Sequence, residues 1–146
     1  MNISDEEIGL VYVPYGHTGG DQTLEARTRT DEIISQILQD MDMQVKGPKF
    51  IIWDLNASVS MLPNLHGAIT NGKLFDIGAN SMKYGTADNT PTCQANAISK
   101  ENRRDYVFAN KQAEQLIQDF KIVKDPQFSV HSIIKMEIKN NSPNKK

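Results

Sequence analysis

The chain has 146 residues and a formal net charge of −2 at pH 7. That length holds one domain with a real core, and the near-neutral charge gives no bulk attraction for nucleic acid or an anionic membrane, so any such contact must come from a local patch. A single cysteine, Cys93, excludes an internal disulfide and a cysteine-based zinc site; with no signal-peptide pattern and no membrane-spanning run, it fits an intracellular compartment, cytoplasmic or nuclear.

Taken in chain order, residues 1–7 are polar and acidic and are expected to fray. Residues 8–13 (IGLVYV) form a β-rich run ended by Pro14. The glycine-rich stretch that follows (YGHTGGDQT) fits neither a Walker loop nor a dinucleotide fingerprint and reads as a surface connection. From residue 24 to about residue 43 the pattern is helical: Ile33, Ile34, Ile37, Leu38 and Met41 make one apolar stripe, Thr23 suits the N-cap, and Arg27 with Asp31 has ion-pair spacing. Gly47-Pro48 stops this helix and starts a second strand over residues 49–54. Strand, helix and strand of this length read as a crossover with the two strands parallel.

The less regular second half begins with a short helix near residues 60–69, with Pro63 in its first turn. A short apolar segment over 73–78 and a polar loop over 84–91 follow. Residues 92–97 read as a strand and residues 103–109 (RRDYVFA) as a stronger one. Asn110 suits the cap of a helix through Phe120, with Ala113, Leu116, Ile117 and Phe120 as its buried stripe. Residues 120–123 and 132–138 complete the strands, and the tail over 140–146 is expected to be disordered. Residues 1–139 then form a single domain.

The chain is organised around PKFIIWDLN, residues 48–56, a buried strand that runs into Asp54 and Asn56. Side chains two apart on a strand point the same way, so these two can face one ligand at the mouth of a sheet, where open α/β sheets hold their chemistry. An ordinary Asx turn is the plainer alternative. Asp105 lies inside an apolar strand, where a carboxylate needs a partner, either Arg103 or Arg104 or something functional. His131 opens the last strand. An aspartate that orients a histidine, with an Asp/Asn pair beside it, would make a hydrolytic site. The spacing alone does not bring these four residues together.

The order LVYVP, long helix, FIIWDLNA, LFDIGA, TC, RRDYVFAN, SVHS resembles the C-terminal half of the endonuclease/exonuclease/phosphatase superfamily, the DNase I-like group that includes AP endonucleases. The resemblance covers about residues 8–138. It implies half of a DNase I-like α/β sandwich, one mixed sheet with helices on one face. It implies that Tyr12 contacts the scissile phosphate, that Asp54 positions or activates the attacking water and binds metal, and that Asn56 holds water and phosphate. Asp105 would orient His131, and His131 would bind the phosphate and stabilise its developing charge. The implied cofactor is Mg²⁺ or Mn²⁺, and the implied activity is a metal-dependent phosphodiesterase acting on nucleic acid.

The departures from that pattern set the competing reading. Trp53 stands where the family has glycine and would crowd the site. Val130 replaces an aspartate that helps bind metal. The family's N-terminal half, which supplies an Asn and a metal-binding Glu, is expected to be missing, so the cation site is incomplete and Asp54 is its main carboxylate. One sheet face would then be bare, with a homodimer, or a chain supplying the missing half, as its cover. A non-catalytic half-domain acting as a binding module is the alternative to the enzyme, and a small-molecule or lipid phosphatase stays open as a third reading.

Overall fold

The computed structural model describes residues 9–14, 23–44, 46–55, 57–94, 98, 100–127 and 130–139. Expectations for residues 1–8, the glycine-rich stretch over 15–22, Asn56, residues 95–97 and the tail over 140–146 lie outside them.

Strand β1 (Leu10–Tyr12) leads to helix α1 (Leu24–Met43) and then to β2 (Lys49–Asp54), and β1 and β2 pair in parallel. This is the crossover expected from the sequence. Thr23 caps α1, its hydroxyl accepting the Ala26 N–H at 3.0 Å. Ile34 and Met41 of the apolar stripe are buried, with Ile33, Ile37 and Leu38 packed partly against them. Asp31 does not pair with Arg27. It is buried, and its carboxylate accepts the N–H of Asn64 at 3.0 Å and of Leu65 at 3.4 Å. Those are the first-turn donors of α2 (Pro63–Thr70), whose own cap residue, Leu62, has no oxygen to offer. One helix therefore caps the next.

The remaining elements are β3 (Phe75–Asp76), β4 (Asp105–Ala109), α3 (Lys111–Glu114), β5 (Ile117–Val123) and β6 (Ile133–Ile138), with 3-10 turns at Val59–Met61 and Gly78–Tyr84. The main sheet is mixed, in the order β1-β2-β4-β3, and β5 and β6 form a separate antiparallel hairpin. Of the strand read over residues 92–97, Cys93 makes isolated bridges to Asn102 and to His131.

Two apolar clusters lie on the two faces of the main sheet. Ile51 and Trp53 of β2 pair with Phe108 and Tyr106 of β4, and all four face α1 and α2. Phe50 and Val107 take the other face, with Ile77, Ile117 and Phe120 packed on them. The expectation of a bare second face is corrected in part: the β5–β6 hairpin covers it around Phe50 and Val107, whereas Val11 and Ile52 on the same face are 57% and 38% exposed. The helix expected from residue 110 to 120 is also corrected. Asn110 does cap a helix, accepting the Ala113 N–H at 2.9 Å, but that helix ends at Glu114. Ile117, Phe120 and Ile122 then face inward along a strand whose register shifts between Ile117 and Asp119. Among the described residues no helix is long and apolar enough to cross a membrane.

Candidate active site

Asp54 ends β2 and Asp105 begins β4, and the two are direct cross-strand partners. They therefore share one sheet face, the face of the hairpin, as residues paired across a ladder do. His131 stands two residues before β6, where the bridge to Cys93 holds its backbone. Its Nδ1 lies 2.8 Å from Asp105 Oδ2, and its Nε2 lies 3.9 Å from Asp54 Oδ2. A carboxylate only accepts, so Nδ1–H donates to Asp105 and Nε2 is turned toward Asp54. The three side chains each offer a ligand atom, and these atoms all lie within 4.8 Å of one another. The group could hold a metal ion.

Exposure grades across the site. The side chain of Asp105 is 22% exposed, that of His131 41% and that of Asp54 57%. The orienting carboxylate is thus the most sheltered and the outer one faces solvent, which suits an anchor at the back and a reactive edge in front. A cleft of about 300 Å³ adjoins His131, walled by Pro91, Cys93, Lys124, Pro126 and Val130 among others. Burial pushes the Cys93 thiol up, and Asp105 and Asp54 add to the shift while Arg104 opposes it. A thiol held protonated is a poor nucleophile, and Cys93 lines the cleft beside His131.

Asp54, Asp105 and His131 are brought together as the sequence motifs imply. Tyr12 is not. Tyr12 pairs with Ile51 and packs on the helix side of the sheet, and its hydroxyl donates to Asp40 of α1 at 2.6 Å. Asp54 faces the other way, so the Asp54–Asp105–His131 group lies across the sheet from the Tyr12 phenol. Asn56 lies outside the described residues. Trp53 does not crowd the site: alternation along β2 turns its indole into the helix-side core, where it is 4% exposed.

Neither arginine expected beside Asp105 neutralises it by a salt bridge. Arg103 makes a bidentate pair with Asp76 at 2.7 and 2.8 Å and lies 4.3 Å over the Tyr106 ring. This guanidinium also explains Gly78, where an added Cβ would meet Arg103 Nη1 at 3.0 Å. Asp76, and the cap made by Asp31, were not legible from any local pattern, since each partner lies about thirty residues away.

No family model matches the chain, and no curated protein matches its sequence. Among solved structures the chain is similar to a mannosyl-6-phosphatase of Bacteroides thetaiotaomicron VPI-5482, at 12% identity and a TM-score of 0.48, over 80% of this chain and 47% of that one. It is also similar to an endonuclease/exonuclease/phosphatase family protein from Bacteroides thetaiotaomicron, at 12% identity and a TM-score of 0.42, over 80% of this chain and 42% of that one. The chain spans less than half the length of either structure.

Proposed function

We propose that the site hydrolyses a phosphoester with the help of a divalent cation, Mg²⁺ or Mn²⁺. The observation that carries this reading is the Asp105–His131 pair, with the free edge of the imidazole turned toward Asp54 at 3.9 Å. The donor set fits such a cation. The Asp54 carboxylate supplies hard oxygen ligands, Mg²⁺ binds through one or two carboxylates and keeps several waters, and Mn²⁺ tolerates carboxylate and water equally. Asp54 would hold it, because Asp105 is committed to His131. A cation bound there supplies positive charge against the phosphoryl oxygens.

The chain's own residues do the rest. Asp105 fixes the ring orientation and tautomer of His131. Once protonated, His131 presents Nε2–H to a phosphoryl oxygen and stabilises the charge that develops on it. Asp54, exposed at the front, accepts a proton or hydrogen bond from the attacking water. The finer reading, a phosphodiester of a nucleic acid, rests on the motif order of the sequence. Val130, an apolar wall residue beside His131, favours the second reading, a binding module that has kept the fold and lost turnover.

The test is hydrolysis by the purified chain of bis-p-nitrophenyl phosphate, p-nitrophenyl phosphate, abasic, nicked and single-stranded DNA, and RNA, each with Mg²⁺ and Mn²⁺. His131→Ala and Asp54→Ala are expected to lower turnover by about 100-fold or more, and EDTA to abolish it. A folded chain that hydrolyses none of these under any condition overturns this reading for the chain on its own and favours the binding module.

A further inference from the structure

We infer that Thr92 is a positioning residue that sets the Asp105–His131 pair; this rests on the reading of that pair as the reactive centre. Thr92 is 1% exposed and, through different atoms, touches Asp105 and the residue after His131. Its Oγ1 accepts the backbone N–H of Asp105 at 3.0 Å and of Arg104 at 3.1 Å. Its carbonyl accepts the N–H of Ser132, next to His131, at 2.7 Å. Its own N–H donates to Asn102 O at 2.9 Å, and the next residues continue the tie, with Gln94 N–H donating to Val130 O at 2.9 Å. The segment 92–94 is thus laid between the chain entering β4 and the chain entering β6.

The sheet explains why a side chain is needed there. β3 pairs with β4 at Ala109 and Phe108, and Ile77 N–H reaches Val107 O at 3.0 Å, but the sheet partner goes no further. The N–H groups at the entry to β4, of Arg104 just before it and of Asp105 at its start, find no acceptor on β3, and buried backbone donors require acceptors. A threonine hydroxyl supplies that acceptor for both. The branched side chain has few rotamers, so the position of one oxygen is passed to the Asp105 backbone and that of one carbonyl to the His131 segment. The 2.8 Å contact between Asp105 and His131 is the sum of those two placements.

Three variants separate positioning from plain stability. Thr92→Val keeps the shape and removes the oxygen; Thr92→Ser keeps the oxygen; Thr92→Cys keeps a weak acceptor and guards against a valine variant that does not fold. The readout is the ¹⁵N and ¹H spectrum of the histidine rings, with His131→Gln assigning His131 among the three histidines of the chain. In the parent protein His131 is expected as the Nδ1–H tautomer with an observable Nδ1–H proton. Thr92→Val is expected to lose that proton signal and mix the tautomers, Thr92→Cys to weaken it and Thr92→Ser to retain it. Turnover of a phosphoester should follow the same order, with kcat falling about 100-fold in Thr92→Val at a KM within twofold, as a misplacement near 1 Å does. A parent-like ring spectrum in a folded Thr92→Val or Thr92→Cys variant, whatever its melting temperature, overturns the inference. If no phosphoester is turned over, the proposed function fails while the ring spectra still decide the role of Thr92.

Discussion

Asp54 and Asp105 stand directly opposite each other on adjacent strands, and like charges in that position repel. His131 beside them, or a cation, offsets the repulsion, but a fold selected for stability alone would not build it. Asp54→Asn is therefore expected to raise the stability of the cation-free protein by about 0.5 kcal/mol while removing hydrolysis. Thermal unfolding in EDTA, run beside the activity assay, checks both halves, and a variant destabilised by the change would show that Asp54 serves the fold. Tyr12 carries the opposite expectation. Burial, and the bond to Asp40, push its phenol up to about 12. The folded protein holds that proton after the unfolded chain has lost it, so the contact's contribution is complete below the ordinary tyrosine pKa of about 10 and is lost as pH rises through about 12. Tyr12→Phe should remove a phenol transition near that pH from the ultraviolet titration and leave hydrolysis unchanged. A tenfold fall in kcat would instead return Tyr12 to the site. At this scale the motif order named Asp54, Asp105 and His131 correctly as neighbours. It misplaced Tyr12 because which face a side chain takes depends on register with β2, and no window of sequence contains both strands.

The stretch from Asn110 to Val123 shows how an element is misread. Ala113, Leu116, Ile117 and Phe120 have the spacing of a helix stripe, and Asn110 is a true cap. The same chain from Ile117 onward also places Ile117, Phe120 and Ile122 on one side of a strand once a register shift is allowed. The choice is made by β6, whose Ile134 and Met136 pack into the same cluster, and by the face of the main sheet that needs cover. The long helix α1 was legible because its stripe recurs at helical spacing from Ile33 to Met41 and its cap is local; both hairpin strands were also read, but the start of β5 at Ile117 was not, because its deciding partner β6 begins ten residues after β5 ends. Phe120 is 1% exposed and joins hairpin to sheet. Phe120→Ala is expected to cost about 3–5 kcal/mol, read as a shift in the urea midpoint at unchanged slope. Because His131 lies two residues before β6, the same variant should lower kcat even where it is fully folded. Ile34→Ala, on the helix side, should cost about 2–5 kcal/mol and leave kcat alone. Equal losses of kcat in the two variants would mean that the hairpin does not carry His131.

Over the whole molecule the charge limits what substrate the surface can attract. The net charge is −2, and Arg29, Lys73, Lys83, Arg103, Lys121 and Lys124 are each tied to a carboxylate of the same chain. Near the site itself, Lys124 pairs with Glu101 at 2.6 Å, and Asp54 and Asp105 add negative charge. Proteins that grip a nucleic-acid backbone through six to ten phosphate contacts lose about 10³–10⁵ in affinity between 50 and 200 mM salt, because counterions are released on binding. Among the described residues, six of the chain's sixteen lysines and arginines are paired with carboxylates in this way, and the net charge of the chain gives no bulk attraction for such contacts. A polyanion approaching it meets repulsion that salt screens, since the Debye length falls from about 30 Å at 0.01 M to about 8 Å at 0.15 M. In the absence of divalent cation, binding of single-stranded or duplex DNA is therefore expected to be weak, with a log–log salt slope shallower than about −2, and kcat/KM for a small phosphodiester should be nearly flat in salt. Fluorescence anisotropy with labelled oligonucleotides at 10–200 mM KCl reads the first, and initial rates with bis-p-nitrophenyl phosphate read the second. A slope near −6 would show a continuous basic track that the paired charges do not predict, and would make a nucleic-acid backbone the natural substrate. A flat slope with turnover of the small ester would place specificity in the cleft beside His131, where recognition depends on the shape of what is attached to the phosphate.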